Sequence, residues 1–165
     1  MEAGIALGSN LGDRLANLRA ACASLQRRHR IVAKSSVYRT DPVDCAPGDP
    51  DFFNAVVVVE SAGITPFSLL FETQQIEIGL GRPAEHGFHA PRPIDLDIIY
   101  CGGWQISSSS LTLPHPGLHL RRFVLEPLAE VRPGLVLPGR QKSIAQRLGS
   151  LESSEAPLHV VDREW

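Results

Sequence analysis

The chain has 165 residues and 18.0 kDa, with 43% hydrophobic residues and 16 Lys and Arg against 18 Asp and Glu, a formal net charge of −2. That is enough apolar material for one core, and it supplies no whole-molecule field to hold nucleic acid or an anionic membrane, so any anion site has to be local. Cys22, Cys45 and Cys101 lack C-x-x-C spacing, and no segment approaches the ~20 apolar residues that cross a bilayer; the expectation is a single cytoplasmic domain over 1–165 with its cysteines used for packing.

Gly4-Ile-Ala-Leu-Gly8 reads as a short strand, and Ser9-Asn-Leu-Gly-Asp13 as the turn and cap before a helix with apolar Leu15, Leu18, Cys22 and Leu25, ending near His29. β-Branched Ile31, Val32 and Val37 predict one strand over Ile31 to Tyr38, and Ala55 to Glu60 predicts another. Between them, Asp41 to Asp51 carries three prolines and a glycine and reads as a long loop of the kind often used in function. Thr65-Pro66 caps a second helix, with Phe67, Leu70, Phe71, Gln74 and Ile78 at helical spacing. Gly79 to Pro93 reads as a further loop, leading into a strand over Ile94 to Tyr100. A short strand at Trp104 to Ile106, an irregular stretch over Ser107 to Gly117, a helix around Arg122 to Glu130 and a small helix over Ser143 to Leu148 complete the reading.

The order β-α-β-β-α-β predicts an α+β, ferredoxin-like sandwich: an antiparallel sheet with helices on one face, plus a C-terminal extension. In the last of those strands Ile94, Leu96 and Ile98 point to the core, which sends Asp95 and Asp97 together to the opposite face. Two carboxylates side by side suit Mg²⁺, which takes one or two carboxylates and fills its octahedral shell with water and phosphate oxygens. Arg82, Arg92, His115, Arg121 and Arg122 stand in the flanking loops and turns as partners for a polyphosphate, whose oxygens guanidinium groups bind in pairs. No G-x-x-x-x-G-K-[ST] loop is present, which excludes a P-loop NTPase. The same carboxylates and arginines also suit a metal-dependent phosphohydrolase. A binding module for RNA or a regulatory ligand is the non-catalytic alternative, though no basic, aromatic-rich strand favours RNA.

Leu7-Gly-Ser-Asn-Leu-Gly12, Val37-Tyr-Arg-Thr40, Pro50-Asp-Phe-Phe-Asn-Ala55, Gln74-Gln-Ile-Glu-Ile-Gly-Leu-Gly-Arg82, Pro91-Arg-Pro-Ile-Asp-Leu-Asp-Ile98, Leu113-Pro-His-Pro116 and Arg121-Arg-Phe-Val-Leu-Glu-Pro-Leu128 occur in that order over most of the chain. With them the chain resembles the 6-hydroxymethyl-7,8-dihydropterin pyrophosphokinases of folate synthesis. The resemblance implies a monomer that binds two Mg²⁺ and transfers diphosphate from ATP to the hydroxymethyl-dihydropterin, releasing AMP. It implies catalytic Arg82, Arg92, Asp95 and Asp97, the aspartates holding metal. Nucleotide contacts would fall on Gln74, Glu77, Arg82, Arg92, Ile98, Thr112, His115 and Arg121, and the pterin pocket on Gly8, Thr40, Pro42, Val43, Phe52, Asn54 and Phe123. A flat pterin would stack on Phe52 and Phe123, with its amide edge matched by Asn54 and the Thr40 to Val43 backbone. Glu77, read without the resemblance, is a plain solvated carboxylate. Ala84 and His89 stand where the family often has a basic or aromatic residue, and Gly117 and Leu120 where it tends to carry charge.

Overall fold

The computed structural model describes residues 1–41, 50–82, 92–117, 121–151 and 158–165. Cys45, Pro42, Val43, Ala84, His89 and Leu120 lie outside the described residues. In chain order the elements are β1 (Glu2–Ser9), α1 (Arg14–Gln26), β2 (Arg30–Lys34), β3 (Val37–Thr40), β4 (Phe52–Glu60), α2 (Pro66–Gly79), β5 (Asp95–Cys101), β6 (Ile106–Ser107), β7 (Thr112–Leu113), α3 (Arg122–Val131), α4 (Ile144–Gly149) and β8 (His159–Asp162). The main sheet runs β5-β1-β4-β3-β8, with β2 also on β4. Its pairings are antiparallel, and its first four positions are the strand order of the expected ferredoxin-like sandwich.

Two apolar layers flank this sheet. On one face Leu18, Ala21, Cys22 and Leu25 of α1 and Leu69 of α2 pack on Ile5, Leu7, Val57, Leu96 and Ile98. On the other, Val124, Leu125 and Leu128 of α3 and Ile144 of α4 pack on Val56, Ile99 and Tyr100. The region read as an extension therefore supplies a second helical layer. A bulge in β5, where the register to β1 shifts between Gly4 and Ile5, turns both Ile99 and Tyr100 to this second layer. Gly4 is demanded by that turn, because a Cβ there would overlap the Tyr100 ring. Buried Cys22 and Cys101 are free thiols, as expected; burial raises both, Cys22 to about 12.

Three sequence expectations are corrected. The strand expected over Ile31 to Tyr38 is two strands, because Ser35 intervenes: its Oγ accepts the Val56 N–H at 2.9 Å while its own N–H donates to the Val56 carbonyl at 2.9 Å, replacing a regular ladder step with a side chain. The stripe Phe67, Phe71, Gln74 and Ile78 of α2 faces solvent, and the buried side carries Pro66, Leu69, Thr73 and Glu77. Apolar residues lie on more than one side of this helix, so periodicity alone does not select a face. The strand expected at Trp104 to Ile106 lies at Ile106–Ser107, and the stretch from Ser107 read as irregular contains its hairpin partner, with Ile106 opposite Leu113 and Ser107 opposite Thr112. The strand β8 was not foreseen; it adds an edge to the sheet beside β3.

Candidate active site

The site is built on the register of the sheet. Asp95 of β5 lies opposite Gly8 of β1, and Gly8 lies opposite Asn54 of β4, which in turn pairs with Tyr38 of β3. One step along, Asp97 opposes Ala6, and Phe52 opposes Thr40. Leu96 and Ile98 alternate into the α1–α2 core as expected, leaving both aspartates on the face covered further along by α3.

The β5 end is charged and interlocked. Arg82, just past α2, donates from Nη1 to Asp95 Oδ1 at 2.7 Å and pairs with Glu77 Oε1 at 2.7 Å. Arg92 donates from Nη2 to Asp95 Oδ2 at 2.6 Å. Glu77 is only 8% exposed, correcting its reading as a solvated group. It accepts the N–H of Leu96, the residue between the two aspartates, at 2.6 Å. Burial pushes its carboxyl up to about 7, against the Leu96 N–H and the Arg82 charge, which lower it, while Asp95 and Asp97 raise it further. Asp97 reaches solvent at the rim. Crowding by the protein first, and the Asp95 charge second, hold its carboxyl above the usual range, while His115, Arg92 and Arg121 pull it down. These three groups thus act on the Asp97 carboxylate from separate segments of the chain. His115 is fixed by its own N–H, which donates to the Ile99 carbonyl at 2.9 Å, and its Nδ1 accepts from Gly117 N at 3.1 Å.

The β3–β4 end is neutral. Asn54 is buried, and its Nδ2 donates to Thr40 Oγ1 at 2.7 Å. A Cβ on Gly8 would stand 3.2 Å from Asn54 Oδ1 and 3.8 Å from the Phe52 ring, so glycine keeps the floor between Asp95 and Asn54 flat. Phe52 and Phe123 are both partly exposed, and the Arg121 guanidinium lies 5.6 Å from the Phe123 ring centre.

Other expected contacts stand apart. Ile98 is only 4% exposed, with its side chain in the core. Gln74 is exposed on α2, and Thr112 belongs to β7. Arg122 pairs with Glu126 at 3.6 Å on α3. Sequence reasoning passed over two residues. Asn10, inside the Leu7 to Gly12 motif, is buried; its Oδ1 accepts the Arg92 N–H at 2.9 Å, and its Nδ2 has no partner among the described residues. Arg14, at the start of α1, stacks 4.0 Å from the Phe53 ring centre and donates to the Asp51 carbonyl at 2.8 Å, just before β4. The Asn10 signal was its place in a quoted motif; Arg14 had none.

The profile of the 7,8-dihydro-6-hydroxymethylpterin-pyrophosphokinase (HPPK) family matches residues 4–133. This chain belongs to the HPPK family. It is 40% identical over 155 residues to the 2-amino-4-hydroxy-6-hydroxymethyldihydropteridine pyrophosphokinase of Methylorubrum extorquens, covering 91% of this chain and 93% of that one. It is 44% identical over 129 residues to the enzyme of the same name from Bacillus subtilis, covering 77% and 75%. Among solved structures, an HPPK-DHPS in complex with substrates aligns with a TM-score of 0.72 over 90% of this chain at 14% identity; this chain spans 43% of that longer one, and the likeness speaks for the fold. The HPPK match thus covers the strands and helices that carry both ends of the site.

Proposed function

We propose that Asp95 and Asp97 are the metal-holding pair of this chain and that the row Asp95–Gly8–Asn54 joins a phosphate end to a pterin end. The chain transfers diphosphate from ATP to the hydroxymethyl group of 6-hydroxymethyl-7,8-dihydropterin, with AMP released, in folate biosynthesis, the reaction of the HPPK family to which it belongs. The single observation that carries the residue assignment is the register that puts the two carboxylates, the glycine floor and the Asn54 amide on one face of three adjacent strands.

Two like charges on one face, with Asp97 raised in part by Asp95, form a donor set that a divalent cation relieves. No group of three or more His, Cys, Asp or Glu occurs among the described residues, so further ligands would be water and phosphate oxygens, which is the habit of Mg²⁺. Two Mg²⁺ held by Asp95 and Asp97 would neutralise phosphate charge and polarise the attacked phosphorus. The chain's own contribution is positioning and electrostatics, the main demands of phosphoryl transfer. Arg82 and Arg92 now rest on Asp95; on ATP binding they turn to the phosphate oxygens and free that carboxylate for metal. Glu77 keeps hold of Leu96, so the aspartates do not shift as the arginines leave. Arg121 adds positive charge beside Asp97, and His115 stands as a further polar partner there. Asn54, oriented by Thr40, meets the amide edge of the pterin, and Phe52 and Phe123 offer ring faces for stacking.

We take the chain to act as a monomer, one domain over 1–165, and the two free buried thiols Cys22 and Cys101 fit a reducing cytoplasm. The test is to mix purified protein with ATP, Mg²⁺ and the hydroxymethyl-dihydropterin and separate the nucleotides by chromatography. AMP formed only with the pterin is expected; ADP or free phosphate in its place overturns the reading.

A further inference from the structure

The family profile ends at residue 133, yet later residues are built into the sheet beside the pterin end. β8 pairs with β3, placing Val37 opposite Asp162, Tyr38 opposite Val160 and Arg39 opposite His159. Three residues beyond β8, Trp165 is 6% exposed inside the α1–α2 core. Its Nε1 donates to the Ser35 carbonyl at 2.7 Å. The Lys34 ammonium lies 4.6 Å from its ring centre and also donates to its carbonyl. These attachments bracket β3: His159 stands beside Arg39, next to Thr40, and Trp165 holds the Ser35 end.

β3 needs that bracket. It meets β4 at only three positions, Tyr38 to Asn54, Arg39 to Phe53 and Thr40 to Phe52, and without β8 it would be a short edge strand of the kind that opens locally at little cost. A loose β3 has a direct consequence at the site, because the Thr40 hydroxyl is what the Asn54 amide donates to. Thr40 thereby sets how Asn54 presents its carbonyl oxygen. From this geometry we infer that β8, anchored by Trp165, is a positioning element for the pterin end, acting through β3 and Thr40 on Asn54. Trp165 touches no substrate. The phosphate end is built on β5, which lies at the other end of the strand order from β8, so it is left unchanged. The inference rests on reading Thr40 and Asn54 as pterin contacts.

The loss of Trp165 need not unfold the chain, because Glu130 of α3 grips the same strand independently. It accepts Ser36 N at 2.9 Å, Ser36 Oγ at 2.8 Å and Tyr38 Oη at 2.8 Å. The experiment compares full-length Trp165→Ala and Trp165→Phe with the parent by amide hydrogen exchange and by the KM for each substrate. For Trp165→Ala the expectation is faster exchange at Val37 to Thr40 and a rise of roughly tenfold in pterin KM, with ATP KM within about twofold. Trp165→Phe keeps a ring but loses the bond to Ser35, and should raise pterin KM about threefold. If Trp165→Ala shows no cooperative melt, the Phe variant decides by the same ratio. Unchanged exchange in β3, or equal rises in both KM values, overturns the inference. Absence of pterin-dependent AMP from the parent protein would instead sink the functional reading, and the exchange data would still decide whether Trp165 holds the strand.

Discussion

The two ends of the site are held together by different means. Around Asp95, three charged side chains, Glu77 of α2, Arg82 just after it and Arg92 before β5, form with it a set of ion pairs at 2.6 to 2.7 Å. Around Asn54 there is one neutral hydrogen bond, a glycine floor and partly exposed rings. The charged end stores its own counterions: Arg82 and Arg92 make tolerable a carboxylate that would otherwise stand half-buried and unpaired, and under the proposed assignment the same groups serve the phosphates once ATP is bound. The neutral end has nothing to exchange. In the proposed role it would recognise the pterin by shape and by a buried amide already held by Thr40, which limits the entropy lost on binding.

The sharpest way to break this contrast is at Asp97. Asp97→Asn keeps the shape and removes a proposed metal ligand, so kcat for AMP release should fall roughly 10³-fold with little change in melting temperature; activity near that of the parent would remove Asp97 from the site. Next is Asn54→Ala, for which pterin KM should rise roughly 10- to 100-fold, the cost of about 1–3 kcal/mol for an unmade buried hydrogen bond, while ATP KM holds steady. An equal rise for ATP would mean that the two ends are not separate.

Glu77 gives a pH signature that the neutral end cannot. Its carboxyl is raised from the ordinary 4.5 to about 7 by burial, so between these values the folded chain holds a proton that the unfolded chain has lost. Stability contributed by this group therefore falls as pH rises through that window, by at most about 3 kcal/mol. Urea melts at several pH values should show the slope, and Glu77→Gln, which cannot ionise, should flatten it; an identical slope in the variant would assign it to other groups. The smallest effect is expected at Gly8→Ala, where the new Cβ meets Asn54 Oδ1 at 3.2 Å. Neighbours yield by tenths of an ångström, so pterin KM should rise only about threefold. A rise confined to ATP KM would contradict the placement of Gly8.

Much of this was legible in local pattern. The alternation Ile94-Asp95-Leu96-Asp97-Ile98 shows which side chains share a face, because strand geometry repeats every two residues. The α2 start was readable from Thr65 and Pro66, and the cap is there: Thr65 Oγ1 accepts from Ser68 N at 3.2 Å. The face of α2 was not readable, since Phe67, Phe71 and Ile78 make as good a stripe as the buried one. Glu77, on the buried side, looked solvated because its partners, Leu96 and Arg82, come from other segments.

By itself, then, the sequence determined the β-α-β-β-α-β core order, the direction of the paired aspartates and the family, because each depends on neighbours in the chain or on short motifs. Only the tertiary structure decided that Glu77 fastens β5, that α3 and α4 cover the second face, and that Trp165 is tied to Ser35 from 130 residues away. Contacts at that separation leave no local periodicity to read; they exist only once the sheet has brought its strands into register.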